Sequence, residues 1–295
     1  MGYQLQLTQM SDYCRITYPA MASLCELLID TDDAALALNL GQRALTETQR
    51  IEQKFSRYRD DNVVARINSA AGQTVTVDDE TAALLDFAQT LWELSEGRFD
   101  ITSGVLREIW TFDGSDQIPS EADVATLLNR IGWDKVHWQP PELTLGDAME
   151  IDLGGIGKEY AVDKVTDLLS QQWSGAILIN FGGDLRCTGQ RRNGEGWQVG
   201  IEKVSASAEQ TFIELKEGGL ATSGDQKRYL KKDGQRYCHI LDPRTGWPVK
   251  EAPHSITAIA PTCLQAGMYS SLAMLMGSDA EAFLETQGVR FWSLR

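Results

Sequence analysis

Nowhere does this 295-residue chain carry an uninterrupted apolar run long enough to span a bilayer. Its first thirty residues lack the basic start and apolar core of a signal peptide, so the chain reads as cytoplasmic. Positive charge is scarce as well: 27 Lys and Arg stand against 42 Asp and Glu, a net charge of -15. Such a surface repels phosphate backbones and anionic lipid, which argues against nucleic acid or membrane surfaces as partners. Any phosphate must be held locally, by backbone N–H groups, a few cations or a metal. The five cysteines (Cys14, Cys25, Cys187, Cys238 and Cys263) form no C-x-x-C pair. Neither a zinc site nor a disulfide framework is indicated, and free, mostly buried thiols are expected. Walker A, G-x-S-x-G and a clean G-x-G-x-x-G after a strand are all missing, which argues against an ordinary Rossmann dehydrogenase.

What is present is a chain 42% hydrophobic, enough for a substantial core in residues 1–295, read as one domain of two packed halves without a linker. The densest stretch is I-D-L-G-G-I-G-K-E-Y-A-V-D, from Ile151 to Asp163. Its glycines sit between a strand-like run ending at Leu153 and a helix-like run from Lys158. A helix starting there aims unpaired N–H groups and its positive dipole end at the turn, a geometry suited to phosphate.

The elements around it follow from pattern. Tyr13 to Ile29 reads as strands interrupted at Pro19–Ser23. Asp32 or Asp33 caps a long helix whose buried stripe is expected at Leu38, Leu45, Ile51 and Phe55. Asn62–Asn68 suggests a short helix closed by Gly72, and Asp78–Ser95 a second long one. Gly97 fits the position just past that helix, leaving Asp100 on a loop. Ser115–Ile131 reads as an excursion ending in a helix with Pro119 at its start. Val136–Leu145 reads as two short strands split by Pro140-Pro141. Ala176–Phe181 suits a buried strand, Trp197–Ile201 and Phe212–Leu215 further antiparallel strands, and Leu220–Gly224 a small-residue turn. Ser255–Ala260 suggests a strand and Leu264–Met276 an apolar helix. Strands and helices do not alternate regularly, so the expected class is α+β, antiparallel sheets with packed helices.

Of three histidines, His137 reads as structural and His254 has no partner near it in sequence. His239 enters H-I-L-D-P-R-T-G, where Pro243 and Gly246 alone would justify a turn. Tyr58, between two arginines in F-S-R-Y-R, offers a flat face to a flavin or purine ring.

Taken in order, A-M-A-S from Ala20, F-S-R-Y-R from Phe55, G-R-F-D-I-T from Gly97 and the glycine stretch are followed by four more features. These are N-F-G-G-D from Asn180, L-A-T-S-G from Leu220, H-I-L-D-P-R-T-G from His239 and the helix from Thr262. This series resembles the FAD:protein FMN transferase family, the ApbE family, over about Ile16 to Gly277, and implies its T-fold-like architecture. The resemblance implies Mg²⁺-dependent splitting of FAD, transfer of FMN to a threonine hydroxyl of an acceptor flavoprotein, and release of AMP. Acceptors of such enzymes are subunits of membrane redox complexes or flavin-carrying reductase domains. By matching positions, Met21 and Tyr58 would contact the flavin nucleotide, and Arg98, Phe99 and Asp100 the adenine end. Gly154 and Lys158 would line the diphosphate, and Ile240 and Asp242 would lie along the FAD. His239 would be the general base, and the Gly157 carbonyl and Ser271 would ligate the metal. The family's A-D-A-L-x-T pattern in the last helix reads Ala266–Ser271 here, so Gly267 stands where an Asp ligand is usual and Ser271 where Thr is. Glu159 replaces a common Gly. These departures keep open a non-catalytic FAD-binding protein, or an FAD pyrophosphatase giving FMN and AMP.

Overall fold

The computed structural model describes residues 4–201, 211–225 and 229–295. Its spine is an eight-stranded sheet whose strands lie side by side in chain order, each antiparallel to the next. They are Gln6–Gln9, Cys14–Ala20, Ser23–Ile29, Ile177–Phe181, Asp184–Cys187, Gly218–Gly224, Ser255–Ala260 and Arg290–Leu294. The second strand shows why this sequence makes sheet: Cys14, Ile16, Tyr18 and Ala20 are buried while the residues between them are not, the period of two of a one-sided strand. The chain turns back at Met21 and Ala22, whose φ of 51° and 55° match a tight two-residue hairpin. The expected α+β class is what the chain adopts.

The helices are α1 (Ala34–Phe55), α2 (Val63–Asn68), α3 (Asp79–Leu94), α4 (Glu121–Leu128), α5 (Gly157–Ser170), α6 (Cys263–Leu275) and α7 (Ala280–Thr286). Side-chain caps set several starts: Asp33 accepts from Ala35 and Leu36 N, and Asp78 from Thr81 N. On one face of the sheet α1, α5 and α6 pack together against the strands. The hairpin of strands Trp197–Gly200 and Phe212–Leu215 covers apolar residues of the other face. Ile177–Phe181 is apolar except at the half-buried Asn180, because both faces are covered: Ile177, Ile179 and Phe181 join the helical core, Leu178 the hairpin side. Among the described residues no helix is long and apolar enough to cross a membrane. All five cysteines are buried and free, as expected.

Five local expectations need correction. Leu38 is 43% exposed; the buried stripe of α1 runs through Ala37, Leu40, Ala44, Thr48, Ile51 and Phe55, with Leu45 beside it. Ser69, not Gly72, closes α2, and Pro119 precedes the Ser120 cap of α4. Ile151–Leu153 forms no strand, because its backbone bonds to a side chain and a neighbouring loop instead of a ladder. Leu220–Gly224 is no turn but part of an interior strand. Its small residues reflect close approach: a Cβ on Gly219 would lie 2.3 Å from the Cys263 nitrogen that starts α6.

Glu80 ties three helices together. Its carboxylate accepts from Arg50 (2.7 and 2.8 Å) and Lys54 (2.6 Å) on α1 and from the Tyr160 hydroxyl (2.7 Å) on α5. These donors, Arg50 foremost, hold its pKa well below the carboxylate range against the opposing effect of burial. Glu80→Gln should cost about 1–2 kcal/mol, since each net hydrogen bond to a charge here is partly solvated. A folded-state pKa below the unfolded value contributes stability that is complete above the unfolded pKa of about 4.3 and lost as pH falls. Urea midpoints of the two proteins should therefore converge on acidification; a gap that widens below pH 4 rejects this account.

Candidate active site

The glycine stretch builds one wall of the site. Asn68 grips Ile151, donating to its carbonyl at 3.0 Å and accepting from its N–H at 2.8 Å. Asp152 accepts from Gly154 N at 2.8 Å and pairs with Arg57 at 2.9 Å, so the F-S-R-Y-R segment braces the turn. Ile156 N and Gly157 N both donate to the Leu153 carbonyl, which closes the chain into α5. No side chain caps α5, so the positive end of its dipole is left uncompensated by a capping group.

The first turn of α5 presents Lys158 and Glu159 to a cavity of ≈ 370 Å³. Lys158 Nζ meets the buried Asp184 carboxylate at 2.6 Å. Burial opposes the Lys158 charge, but Asp184 outweighs it and holds the ammonium above its ordinary pKa. Glu159 is pushed up to about 8, first by burial and then by the charge of Asp184. Its Oε2 is sealed from solvent and has no hydrogen-bond partner among the described residues.

The second wall is α6 over the strand Gly218–Gly224. Asp163, at the far end of the glycine stretch, accepts from Cys263 N and Leu264 N, each at 2.9 Å, so α5 caps α6 across the core. Along α6, Ser271 Oγ lies 3.0 Å from Ser223 Oγ of that strand. Gly267 faces α5: a Cβ there would come 2.7 Å from Glu159 Cγ and 2.9 Å from Oε1.

The third wall carries His239. The turn after it is locked by Asp242, whose carboxylate takes Arg244 Nη2 at 2.6 Å and Arg244 N at 3.0 Å, and whose carbonyl accepts from Thr245 and Gly246 N. Burial would raise the Asp242 pKa, but Arg244 prevails and lowers it. Trp110 donates to the Gly246 carbonyl at 2.9 Å and stacks on Phe112, which meets the His239 ring edge-on at 6.2 Å. The His239 loop is thus set by aromatic packing from the segment after α3.

Arg98, Phe99, Asp100, Lys158, His239, Ile240 and Ser271 all line this one cavity. Gly154 directly precedes Gly155, which lines it, and Gly157 lies two residues further on, while Asp242 is turned to Arg244 between two lining neighbours, Leu241 and Pro243. Asp100 is already engaged, accepting from Thr102 N and Oγ1 and from Trp133 N, with about one lone-pair direction left. Met21 lies apart, on a second hollow of ≈ 550 Å³ beside Glu52, to which its N–H donates. Tyr58 is 83% exposed and stacks with Arg57. Sequence reading gave no role to Asp152, Trp110 or Phe112, and met Thr222 and Ser223 only as members of L-A-T-S-G; Asp152 left a local signal, the D-x-G turn, and the two aromatics left none.

Among the described residues no three Asp, Glu, His or Cys side chains converge closely enough to hold a metal unaided. The oxygens on the cavity nevertheless suit a hard divalent cation that shares its shell with a bound phosphate: Glu159, Asp184 and Ser271 all line it, and one Glu159 oxygen is buried without a donor.

A sequence model described as the ApbE family matches residues 10–292. An FAD:protein FMN transferase of Haemophilus influenzae is 30% identical over 246 residues, 78% of this chain and 70% of that protein. One from Klebsiella pneumoniae is 31% identical over 287 residues, 92% and 85% of the two chains. The crystal structure of the ApbE protein of Thermotoga maritima superposes with a TM-score of 0.84 at 28% identity, covering 99% of this chain and 94% of that one. For the apo flavinyl transferase ApbE of Pseudomonas stutzeri the TM-score is 0.85 at 26% identity, with 99% and 92% covered.

Proposed function

The chain belongs to the ApbE family, and from that premise we propose that it is an FAD:protein FMN transferase. It splits the diphosphate of FAD and joins the FMN phosphorus to a threonine oxygen of an acceptor flavoprotein. The bond to the AMP phosphate breaks and AMP leaves. The observation that carries this reading is one cavity lined by Lys158, at the uncapped start of α5, and by His239. A cation and a helix dipole suit a diphosphate, and a histidine suits removal of a hydroxyl proton.

In this reading Lys158, steadied by Asp184, orients the diphosphate, and His239 takes the threonine proton as the oxygen attacks. Arg98, Phe99 and Asp100 hold the adenine end, Ile240 and Asp242 flank the FAD, and Met21 and Tyr58 serve the flavin side. Gly154 keeps the diphosphate wall free of side chains. Mg²⁺ would be held by the Gly157 carbonyl and Ser271, and would supply neutralisation of the charge that develops in phosphoryl transfer. The acceptor is a redox-complex subunit or reductase domain bearing the threonine, modified in the cytoplasm.

The test incubates the protein with FAD, Mg²⁺ and an acceptor carrying the threonine motif. Covalent flavin fluorescence on the acceptor in a denaturing gel is the expected result. AMP with an unlabelled acceptor would instead establish a pyrophosphatase, and intact FAD with neither product a binding protein.

A further inference from the structure

Glu159 lines the cavity with a carboxylate to which the transfer reading gives no role. A carboxylate placed on the first turn of a helix is commonplace at a surface, but this one is turned inward. Oε2 is sealed from solvent with no donor among the described residues. Burying an ionisable oxygen without a partner costs several kcal/mol in general, so such a group persists where something else satisfies it. Its stem occupies a specific space: the volume a side chain at position 267 would fill, with Glu159 Cγ 2.7 Å and Oε1 2.9 Å from a Cβ built there. Glycine at 267 is therefore what lets the Glu159 carboxylate reach this point. Any larger residue on α6 would have to displace it.

We propose that Glu159 is the acidic ligand of the divalent cation in this protein, delivered from α5 into the space that Gly267 leaves open on α6. The two helices are held in fixed relation by the Asp163 carboxylate on the first two N–H groups of α6. An oxygen sent across from α5 thus arrives on the same wall as Ser271, which lines the same cavity. Asp184 does not serve this purpose, because Lys158 already claims it at 2.6 Å. Asp242 is claimed by Arg244 and Asp225 by Arg236, at 2.6 and 2.9 Å. Among the described residues, Glu159 alone of these acids keeps a buried oxygen without a donor. A single carboxylate, a hydroxyl and a carbonyl make half of a magnesium shell, and phosphate oxygens and water complete it. The cation should accordingly bind weakly alone and tightly with a diphosphate.

This inference rests on the metal-assisted reading of the cavity, and its test separates the two. Mn²⁺ binding is followed by loss of the free-ion EPR signal, with and without ADP as a diphosphate that carries no flavin. The unaltered protein should bind Mn²⁺ at least tenfold more tightly with ADP present. Glu159→Gln should weaken Mn²⁺ binding in the presence of ADP by tenfold or more, while ADP affinity without metal changes less than threefold. The exchange Glu159→Gly with Gly267→Asp, which returns the carboxylate from the other helix, should recover binding to within threefold. Gly267→Asp alone should weaken it, because two acids then compete for one space. Circular dichroism confirms that each variant is folded; if Glu159→Gln is not, Glu159→Asp, which keeps the charge but withdraws the oxygens, must still weaken Mn²⁺ binding. Mn²⁺ bound equally well by the Gln variant, or bound by none of the proteins, overturns the assignment. Tight Mn²⁺ binding that depends on Glu159, with no flavin transfer to any acceptor, would leave it standing and remove the transferase reading instead.

Discussion

Replacing His239 with alanine should lower the rate of flavin transfer by about 10²–10⁴-fold, the usual contribution of a positioned general base. FAD binding should change little. His239 lines the cavity, but the groups that would grip the diphosphate and adenine belong to other walls: Lys158 on α5, and Arg98 and Phe99 after α3. The loop itself should survive the substitution, because it is fixed by the Asp242–Arg244 pair and by Trp110 on the Gly246 carbonyl, neither of which uses the imidazole. Initial rates of covalent fluorescence on the acceptor measure the first effect, and quenching of flavin fluorescence on binding measures the second. A variant that transfers flavin at the original rate removes the assigned role. One that loses FAD affinity as steeply as rate shows His239 to be a binding group.

The largest loss of stability is expected at Asp163→Ala, about 3 kcal/mol. Asp163 satisfies two N–H groups at the start of α6 and pairs with Arg186 at 3.1 Å, all at a site 9% exposed. Removing it strands two donors and a guanidinium, each worth about 1–3 kcal/mol when buried, with partial relief from Asp167 and water. Burial raises the pKa of Asp163 despite these donors, so its acceptor oxygens matter more to the fold than its charge. Asp163→Asn, which keeps one acceptor, should therefore lose roughly half as much. Urea unfolding should show a lower midpoint at an unchanged slope for both variants. An unfolding free energy for the Ala variant within about 0.5 kcal/mol of that of the original protein would mean that α6 is held by packing alone.

How much could be read in advance depended on how local the cause was. The N-terminal limits of α1 and α3 were legible because Asp33 and Asp78 cap them within three residues. Ser255–Ala260 was legible as a strand for the same kind of reason, a β-branched apolar run bounded by a turn and a helix cap. Leu220–Gly224, part of the strand Gly218–Gly224, was misread as a turn because the strand's small residues answer to a distant neighbour, the start of α6. Nothing within the segment carries that information.

The site divides in the same way. From the sequence alone came the glycine turn, the Lys158–Glu159 helix start, the His239 motif and the order of motifs that resembles the ApbE family, because each is a local pattern of residue types. Only the tertiary structure decided which acids are spent and which is spare. Asp184 goes to Lys158 and Asp163 to a helix cap from 100 residues away, while Glu159 is left facing Gly267. Pairings of this kind are set by the sheet and the packing of α5 on α6, which bring together side chains that local sequence patterns treat as unrelated.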